Sequence, residues 1–355
     1  IKSANYWNRQ GDEMKFDAIV GNPPYQVMNR GDGKGSNPVY HLFYDASQLI
    51  SNRVTFIHPA RFLFHAGKTP KEWNEKMLND KHFKVISYWS DSMSVFTTVD
   101  IKGGVAITLW DKESDFGKIG VFTQYEEMKA IMQKILASDF TPFSEHVYPR
   151  DLYRLSNQFY VENAWAASRP KKGHKYDVGT NVFDLFPEFF FGDRPDDGEQ
   201  YALILGREDS IRRELWIKEK FIKAPDNYKN YKVLITKANG SGSFGEALST
   251  PIVGNPGVGH TVTFLSIGNF IEEFEATSVL KYIKTKFARA LLGTLKVTQD
   301  NPRETWQNVP CQNFGRFSDI NWEKTIPEID RQLYKKYNLS EKEITFIETM
   351  ISSME

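Results

Sequence analysis

Residues 16–25 read Phe-Asp-Ala-Ile-Val-Gly-Asn-Pro-Pro-Tyr, and the interpretation of the whole chain starts from this stretch. The apolar run at residues 18–20 stops at Gly21, a pattern that predicts a buried strand followed by a rigid loop. Pro23 and Pro24 fix φ and lack N–H donors, so nearby carbonyl oxygens are left to accept hydrogen bonds. Ligands bind at the carboxyl ends of strands in open α/β sheets, and loop 22–25 is therefore the predicted site.

The residue types in this loop suit an exocyclic amine attached to an aromatic ring. The amide oxygen of Asn22 and the backbone carbonyl of Pro23 could accept its two N–H bonds, which would localise the nitrogen lone pair. A base must leave the duplex to reach such a pocket. Stacking on Tyr25 would return roughly 1–3 kcal/mol.

Asn22-Pro23-Pro24-Tyr25 resembles the catalytic motif of the amino-methyltransferases, and most closely that of the adenine-specific (N6) DNA methyltransferases of single-chain restriction-modification systems. The order helix, then strand, then Pro-Ala-x-Phe-Leu at residues 59–63 fits the same family, as do residues 282–287, 295–300, 306–310, 329–334 and 337–340. The resemblance implies methyl transfer from S-adenosylmethionine to a flipped adenine, with catalytic residues Asn22, Pro23, Pro24 and Tyr25. An Asn-Pro-Pro turn that merely ends a strand is the alternative.

Residues 94–110 predict two β segments around a turn, and Phe96 lies just before them. In the resembling family an aromatic residue in this position stacks on the second face of the extruded adenine. The resemblance thus implies that Tyr25 and Phe96 sandwich the base. The alternative is that Phe96 is an ordinary core aromatic.

The composition is that of a globular protein, with 40% hydrophobic and 25% charged residues in 355. No apolar run approaches the ~20 residues of a membrane span, and no signal peptide is evident, so we expect a cytoplasmic protein without a membrane segment. Cys311 is the single cysteine, and neither it nor the histidines have the spacing of metal ligands, so no metal is expected. Equal numbers of basic and acidic residues, 45 each, mean that any DNA binding rests on local patches.

The cofactor segment of the resembling family precedes its catalytic loop, but only fifteen residues precede Phe16, and they contain no Gly-rich turn. We therefore expect an amino-terminally truncated chain, inactive as it stands. S-adenosylmethionine would then be the cofactor of a full-length parent, through residues that stay unknown. The Gly-rich stretches 240–245 and 254–259 are predicted to be surface loops, because neither follows a clear strand and opens a helix.

The predicted fold class is α/β: a partial Rossmann-like methyltransferase sheet, then an α+β target-recognition domain and a helical carboxyl-terminal tail. The βαβ alternation implies a mostly parallel sheet. The expected boundaries are 1–140 for the catalytic part, 141–310 for DNA recognition and 311–355 for the tail. Residues 29–37 are predicted to form a mobile loop.

Basic clusters in the second part are candidates for contacts to phosphate or guanine. A single strong helix is predicted over 275–292, with a positive side beside an apolar face. The alternative for each cluster is a solvated surface. The candidate DNA-binding residues are Lys171, Lys172, Lys175, Arg207, Arg212, Arg213, Lys286 and Arg289.

Double-stranded DNA is the expected partner, and a nuclease or translocase in the parent chain or a partner subunit is compatible with the resemblance. Two other functions stay open at this point. One is an amino-methyltransferase acting on RNA or on protein glutamine. The other is a DNA-binding specificity module without activity of its own. The sequence leaves the DNA site and the oligomeric state open.

Overall fold

A computed structural model describes residues 16–28, 36–98, 100–209 and 211–354. The chain divides into two compact units, residues 1–132 and residues 133–355. The division falls inside a helix, earlier than the boundary expected after residue 140, and the predicted tail 311–355 belongs to the second unit. Most of the loop expected at 29–37 lies outside the described residues.

The first unit contains one four-stranded sheet, in the order β1-β4-β6-β5, and a short two-stranded ribbon, β2-β3. Its described strands are β1 Ile19–Gly21, β2 Gln26–Met28, β3 Ser36–Pro38, β4 Arg53–Pro59, β5 Phe83–Trp89 and β6 Val105–Asp111. Its helices are α1 Tyr40–Gln48, α2 Lys71–Asn79 and α3 Glu126–Leu136, the last of which crosses the division between the units.

The sheet is less parallel than the βαβ alternation predicted. Strands β1 and β4 pair in parallel, whereas β6 pairs antiparallel with both β4 and β5. Strands β1, β4 and β5 therefore run in one direction, with β6 reversed between β4 and β5. A parallel neighbour needs a helical crossover, and the described residues between β5 and β6 hold only the short 3-10 helix Ser92–Ser94.

The strand before the loop is short and is not buried, contrary to prediction. Strand β1 pairs only with β4 among the described strands, so it lies at the edge of the sheet. The side chain of Val20 is 79% exposed, and Ala18 is exposed as well. Pairing with β4, which is buried at Val54 and Phe56, is what holds this edge in place.

The hairpin predicted over 94–110 is also wrong, because only β6 forms a strand there among the described residues. Ile101 donates its backbone N–H to the Ser92 hydroxyl at 2.7 Å, which fixes the preceding segment as a loop. Gly103 and Gly104 have φ of 83° and 76°, and they turn the chain directly into β6. A Cβ at Gly104 would overlap the Trp89 carbonyl, so only glycine fits this approach.

The second unit is α+β, built from small sheets and helices. The described strands are β7 Arg154–Leu155, β8 Tyr201–Glu208, β9 Ile211–Lys218, β10 Ile222–Lys223, β11 Tyr231–Thr236, β12 Ile252–Gly254, β13 Val258–His260 and β14 Phe264–Phe270. The described helices are α4 Asn157–Glu162, α5 Val182–Leu185, α6 Glu273–Lys284, α7 Lys286–Leu292, α8 Ile326–Lys336 and α9 Glu341–Met350.

Two three-stranded sheets organise this unit, in the orders β12-β11-β14 and β13-β8-β9. The second contains the long hairpin β8-β9, whose eight residue pairs run from Tyr201–Lys218 to Glu208–Ile211. An aromatic cluster around Phe159, Phe183 and Phe186 fills the core between α4, α5 and β8. Much of the high aromatic content of the chain is therefore used in packing.

The predicted helix 275–292 is two helices, because Thr285 breaks it. Thr285 has φ −59° and ψ 148°, and its hydroxyl accepts the backbone N–H of Ala288 at 3.1 Å as the N-cap of α7. The final helix begins with a capping box, since Ser340 and Glu343 each accept a backbone N–H of the other.

The mixed α/β character of the chain is confirmed, while a Rossmann-like sheet stays a prediction. Within the described ranges, we find no helix with the length and apolar character needed to cross a membrane.

Candidate active site

Loop 22–25 connects β1 to β2 and begins at the carboxyl end of β1, which is an edge strand of the sheet. Pro23 is buried, Asn22 and Pro24 are exposed, and Tyr25 is half-buried. The Tyr25 carbonyl accepts the backbone N–H of Val39 at 3.1 Å, which ties the loop to the start of α1. No described residue donates a hydrogen bond to the carbonyl of Pro23.

The Tyr25 side chain presents both a ring and an unsatisfied hydroxyl. Its oxygen is buried and has no hydrogen-bond partner among the described residues. Burial raises the pKa of this hydroxyl, and the nearby Asn22 side chain opposes part of the rise. Tyr25 is therefore neutral at pH 7 and acts through its ring and its O–H, not through charge.

Phe96 lies against Tyr25, although 70 residues separate them in the chain. The ring centroids are 6.4 Å apart and the planes meet at 66°, an edge-to-face contact. A base stacked between two parallel rings needs about 7 Å between their planes. The structure thus brings together the two aromatics that the sequence paired. Their rings are in direct contact, so one ring would have to move before a base could stack between them.

A neutral histidine behind the loop was not anticipated from the sequence. His58, near the end of β4, is fully buried and stacks on Tyr40 at 5.3 Å. Its Nε2 lies 2.8 Å from the Thr108 hydroxyl and its Nδ1 lies 3.1 Å from the Pro59 carbonyl. Burial lowers the pKa of His58 to about 4, so this histidine supports the strand ends and carries no charge at pH 7.

Tyr25 also lines a cavity of about 520 Å³ within the first unit, beside Arg61, Lys68 and Thr69. The cavity is lined by four segments of the chain, within residues 25–26, 36–40, 59–69 and 100–101, and the sequence did not point to Arg61, Lys68 or Thr69. The sequence feature that could have indicated this cavity is a pair of basic residues, Arg61 and Lys68, with Gly67 directly before the second.

In the second unit, the hairpin β8-β9 places two of the candidate arginines directly opposite each other. Arg207 pairs with Arg212 in the antiparallel register, and the neighbouring pair is Gly206 with Arg213. Like charges at opposed positions are unfavourable unless an anion lies between or beside them. The Nε of Arg207 is buried and lacks a hydrogen-bond partner among the described residues.

The other two arginines of this hairpin have local partners. Arg212 donates to the Thr250 carbonyl at 2.9 Å and lies over the Phe264 ring. Arg213 lies 3.7 Å from Glu208. Both line a shallow cavity of about 560 Å³ on this hairpin.

Lys171, Lys172 and Lys175 are exposed, as expected for a basic loop. Lys175 lies over the Tyr160 ring at 4.6 Å. For Lys171 and Lys172, no carboxylate partner occurs among the described residues. The loop is therefore available to an anion.

Two candidate DNA contacts are corrected by the structure. Arg289 is 2% exposed, and its guanidinium donates to the backbone carbonyls of Lys284, Glu246 and Ser352. Lys286 pairs with Glu348 at 2.6 Å. Sequence periodicity put both residues on an exposed face, but the tail helices cover that face, so neither is available to phosphate.

Cys311 and His146 lie together, with Sγ 3.1 Å from Nε2. Burial raises the pKa of the Cys311 thiol to about 11, so the pair holds a protonated thiol and not a nucleophilic thiolate. The described part of the chain contains no cluster of three or more His, Cys, Asp or Glu suited to a metal ion.

The Gly-rich stretches do not form a cofactor turn. Gly242 packs against the backbone at Thr298, and Gly245 against that of Met350. A Cβ at either position would clash with that backbone, so these glycines are needed for packing. Residues 254–259 lie between and within β12 and β13. Among the described residues, no Gly-rich turn joins a strand to a helix, so the residues for S-adenosylmethionine stay unassigned.

Comparison with solved structures gives distant similarities across most of the chain. The type IIG restriction endonuclease BpuSI matches with 13% identity and a TM-score of 0.32, over 94% of this chain and 53% of that one. The type IIL restriction-modification enzyme MmeI, solved in complex with DNA, matches with 11% identity and a TM-score of 0.41, over 94% and 56% respectively.

Sequence comparison gives a more specific result. An uncharacterized adenine-specific methylase of Mycoplasma pneumoniae is 31% identical over 137 residues, which is 35% of this chain and 32% of that protein. The chain thus spans about a third of that relative's length. Residues 1–96 match the model of the Eco57I restriction-modification methylase family. The chain is therefore similar to the adenine-specific methylases of restriction-modification systems, as loop 22–25 predicted.

Proposed function

We propose that this chain is the catalytic-loop and DNA-recognition portion of a site-specific DNA adenine-N6 methyltransferase of a restriction-modification system. The observation that carries the proposal is the Asn22–Tyr25 loop with Phe96 against Tyr25, inside the segment that matches a methylase family. S-adenosylmethionine is the proposed methyl donor.

The chain's own contribution to the reaction is to hold the target amine. The Asn22 amide oxygen and the free Pro23 carbonyl accept the two N–H bonds of the adenine amino group. This geometry concentrates the lone pair on the nitrogen and orients it for attack on a methyl group. Positioning and electrostatics carry the reaction, and no covalent intermediate with the protein is needed.

Tyr25 and Phe96 receive the base on its two faces. Extruding an adenine from the duplex costs a few kcal/mol. Stacking on each ring returns roughly 1–3 kcal/mol, which offsets that cost. In this proposal the edge-to-face contact at 6.4 Å is the unliganded arrangement, and one ring rotates as the base enters.

The second unit supplies the proposed DNA contacts. Arg207 and Arg212 on the β8-β9 hairpin, with Arg213 beside them, offer guanidinium groups to phosphate or to the edge of guanine. The exposed lysines at 171, 172 and 175 add a phosphate-binding loop. Site-specific recognition by this unit is the reason to favour DNA over RNA or a protein glutamine as the substrate.

The proposal is tested with Asn22→Ala in the full-length protein. We expect methyl transfer from S-adenosylmethionine to DNA to fall below detection, because the amine loses an acceptor, while sequence-specific DNA binding is retained. Asn79→Ala, at an exposed position on α2, is the matched control and should keep full activity. Turnover retained in Asn22→Ala would refute the assignment of this loop.

A DNA-binding specificity module without activity is the second candidate, favoured by the opposed arginines of the hairpin. Calorimetry with S-adenosylmethionine and gel shifts with random duplexes separate the two. Site-selective DNA binding without any heat from the cofactor, in the full-length protein, would support the module and overturn the enzyme.

A further inference from the structure

The cavity beside Tyr25 contains a fixed guanidinium. Arg61 donates its Nε–H to the carbonyl of Lys102, and its side chain runs between Gly67 and Gly103. A Cβ at Gly103 would lie 2.8 Å from Arg61 Cγ, and one at Gly67 would lie 3.3 Å from its Cδ. Both glycines have positive φ, 83° and 89°, so the backbone is shaped to accept this side chain.

A second cation lies in the same wall. Lys68 is exposed, and its ammonium donates to the Ser36 carbonyl at 3.2 Å. The acidic residue of the wall, Asp100, is paired with Lys102 at 2.6 Å, so its charge is already compensated. Among the described residues, the cavity is left with two cations that no carboxylate neutralises.

We propose that this cavity holds the sugar and phosphate of the target nucleotide, with Arg61 and Lys68 on the phosphate. The inference rests on the proposed function, because it takes the base to lie at Asn22 and Tyr25. Tyr25 belongs to both the loop and the cavity wall, so the sugar-phosphate attached to that base enters the cavity. S-adenosylmethionine fits poorly here, since its sulfonium would be repelled by the two cations.

Arg61 and Lys68 are positioning residues: they orient the nucleotide and do not touch the reacting amine. Their expected effect is therefore on how tightly a phosphorylated nucleoside binds relative to the bare nucleoside. A charge-assisted contact of this kind is worth about tenfold in affinity.

Ligand-observed NMR titrations of the full chain with deoxyadenosine 5′-monophosphate and with deoxyadenosine test the inference. In the wild type, the monophosphate should bind about tenfold more tightly. Lys68→Gln should cut this ratio to about threefold, and Arg61→Gln with Lys68→Gln should bring it near one, because no cation is then left in the cavity wall. Lys118→Gln, an exposed lysine of the same unit outside the cavity, should keep the wild-type ratio.

The outcomes separate this inference from the proposed function. Equal binding of the two ligands, with both weakened by Asn22→Ala, would overturn the phosphate site and leave the base site standing. A ratio unaffected by Lys68→Gln, or no binding of the monophosphate at about 10 mM, would also overturn the phosphate site. A thermal melt of each variant identifies any that fail to fold. If the double variant fails to fold, the affinity ratio measured with Lys68→Gln alone decides.

Discussion

The Tyr25 ring and the Tyr25 hydroxyl have separable roles. Tyr25→Ala removes the stacking surface and should weaken binding of a flipped adenine by about 1–3 kcal/mol, or about 5- to 150-fold. Tyr25→Phe keeps the ring and loses one buried O–H, so we expect at most about a fivefold effect. Fluorescence of 2-aminopurine at the target position of a duplex measures both. Equal losses in the two variants would show that the ring does not stack on the base.

Lys232 is a buried cation without a carboxylate partner among the described residues. It is completely buried, and the carbonyls of Asn227, Tyr228, Asn230 and Asn255 surround its three N–H groups at 2.9–3.3 Å from Nζ. Lys232→Met leaves four carbonyls without a donor and should lower the free energy of unfolding by about 3 kcal/mol. Chemical denaturation measures this, with the exposed Lys229→Met as the matched control. A loss of unfolding free energy in Lys232→Met no larger than that in Lys229→Met would show that the hydrogen bonds of the Lys232 ammonium do not stabilise the fold.

At the scale of the elements, the break between α6 and α7 has a second cap. The Asp330 carboxylate accepts the backbone N–H groups of Lys286 and Phe287 at 3.0 and 2.9 Å, at the first turn of α7. Burial raises the pKa of Asp330 to about 6, although these hydrogen bonds oppose the rise. The ordinary value for an unfolded Asp is about 3.9.

This raised pKa has a definite consequence for stability. Between about pH 4 and pH 6 the folded state holds more protons on Asp330 than the unfolded state does, so its contribution to stability falls as pH rises. The unfolding free energy of the wild type relative to Asp330→Asn should therefore decrease across this window by up to about 3 kcal/mol. Asp300→Asn, at an exposed position, is the control. An increase across the same window would contradict the assigned direction.

In the β8-β9 hairpin, we predict that replacing one arginine has opposite effects on protein stability and on DNA binding. Arg207 opposes Arg212, and its Nε lacks a partner among the described residues, so Arg207→Gln should leave stability unchanged or raise it by up to about 1 kcal/mol. The same change should weaken specific DNA binding by about 1–3 kcal/mol. Denaturation and gel shifts measure the two effects. Loss of stability with unchanged DNA binding would give Arg207 a structural role instead. Arg154→Gln, an arginine already paired with Asp177, is the control.

Local signals predicted several elements well and their assembly poorly. Helices α8 and α9 lie in the carboxyl-terminal segment that was predicted to be helical, and a capping box at Ser340 starts α9. The first segment of the hairpin predicted over 94–110 is a loop instead. Gly103 and Gly104 are typical of a hairpin turn, but here they lead from this loop directly into β6. The break at Thr285 was missed because its cap competes with strong helix propensity on both sides.

In the candidate site as well, features that depend on local sequence were predicted, and features that depend on long-range packing were not. Asn22–Tyr25 and the partnership with Phe96 were predicted from sequence, the latter only through resemblance to a family, and the structure does bring those rings together. The burial of Arg289 depends on the tail helices, and the opposition of Arg207 and Arg212 depends on hairpin register. Neither is visible from charge patterning along the chain.

At the scale of the whole molecule, the chain combines two kinds of parts. The first unit presents hydrogen-bond acceptors and aromatic rings at a strand end, and the second presents cations on a hairpin and a loop. In the proposed function, the second unit selects the DNA sequence and the first unit modifies one base. A net charge of zero agrees with recognition through local patches instead of a general attraction to nucleic acid.

Mass spectrometry of nucleosides from DNA treated with the full-length protein and S-adenosylmethionine tests the central claim most directly. We predict that N6-methyldeoxyadenosine forms with the wild type and is absent with Asn22→Ala. Methylated cytosine in place of methylated adenine, no methylated base at all, or undiminished N6-methyldeoxyadenosine with Asn22→Ala would contradict the claim.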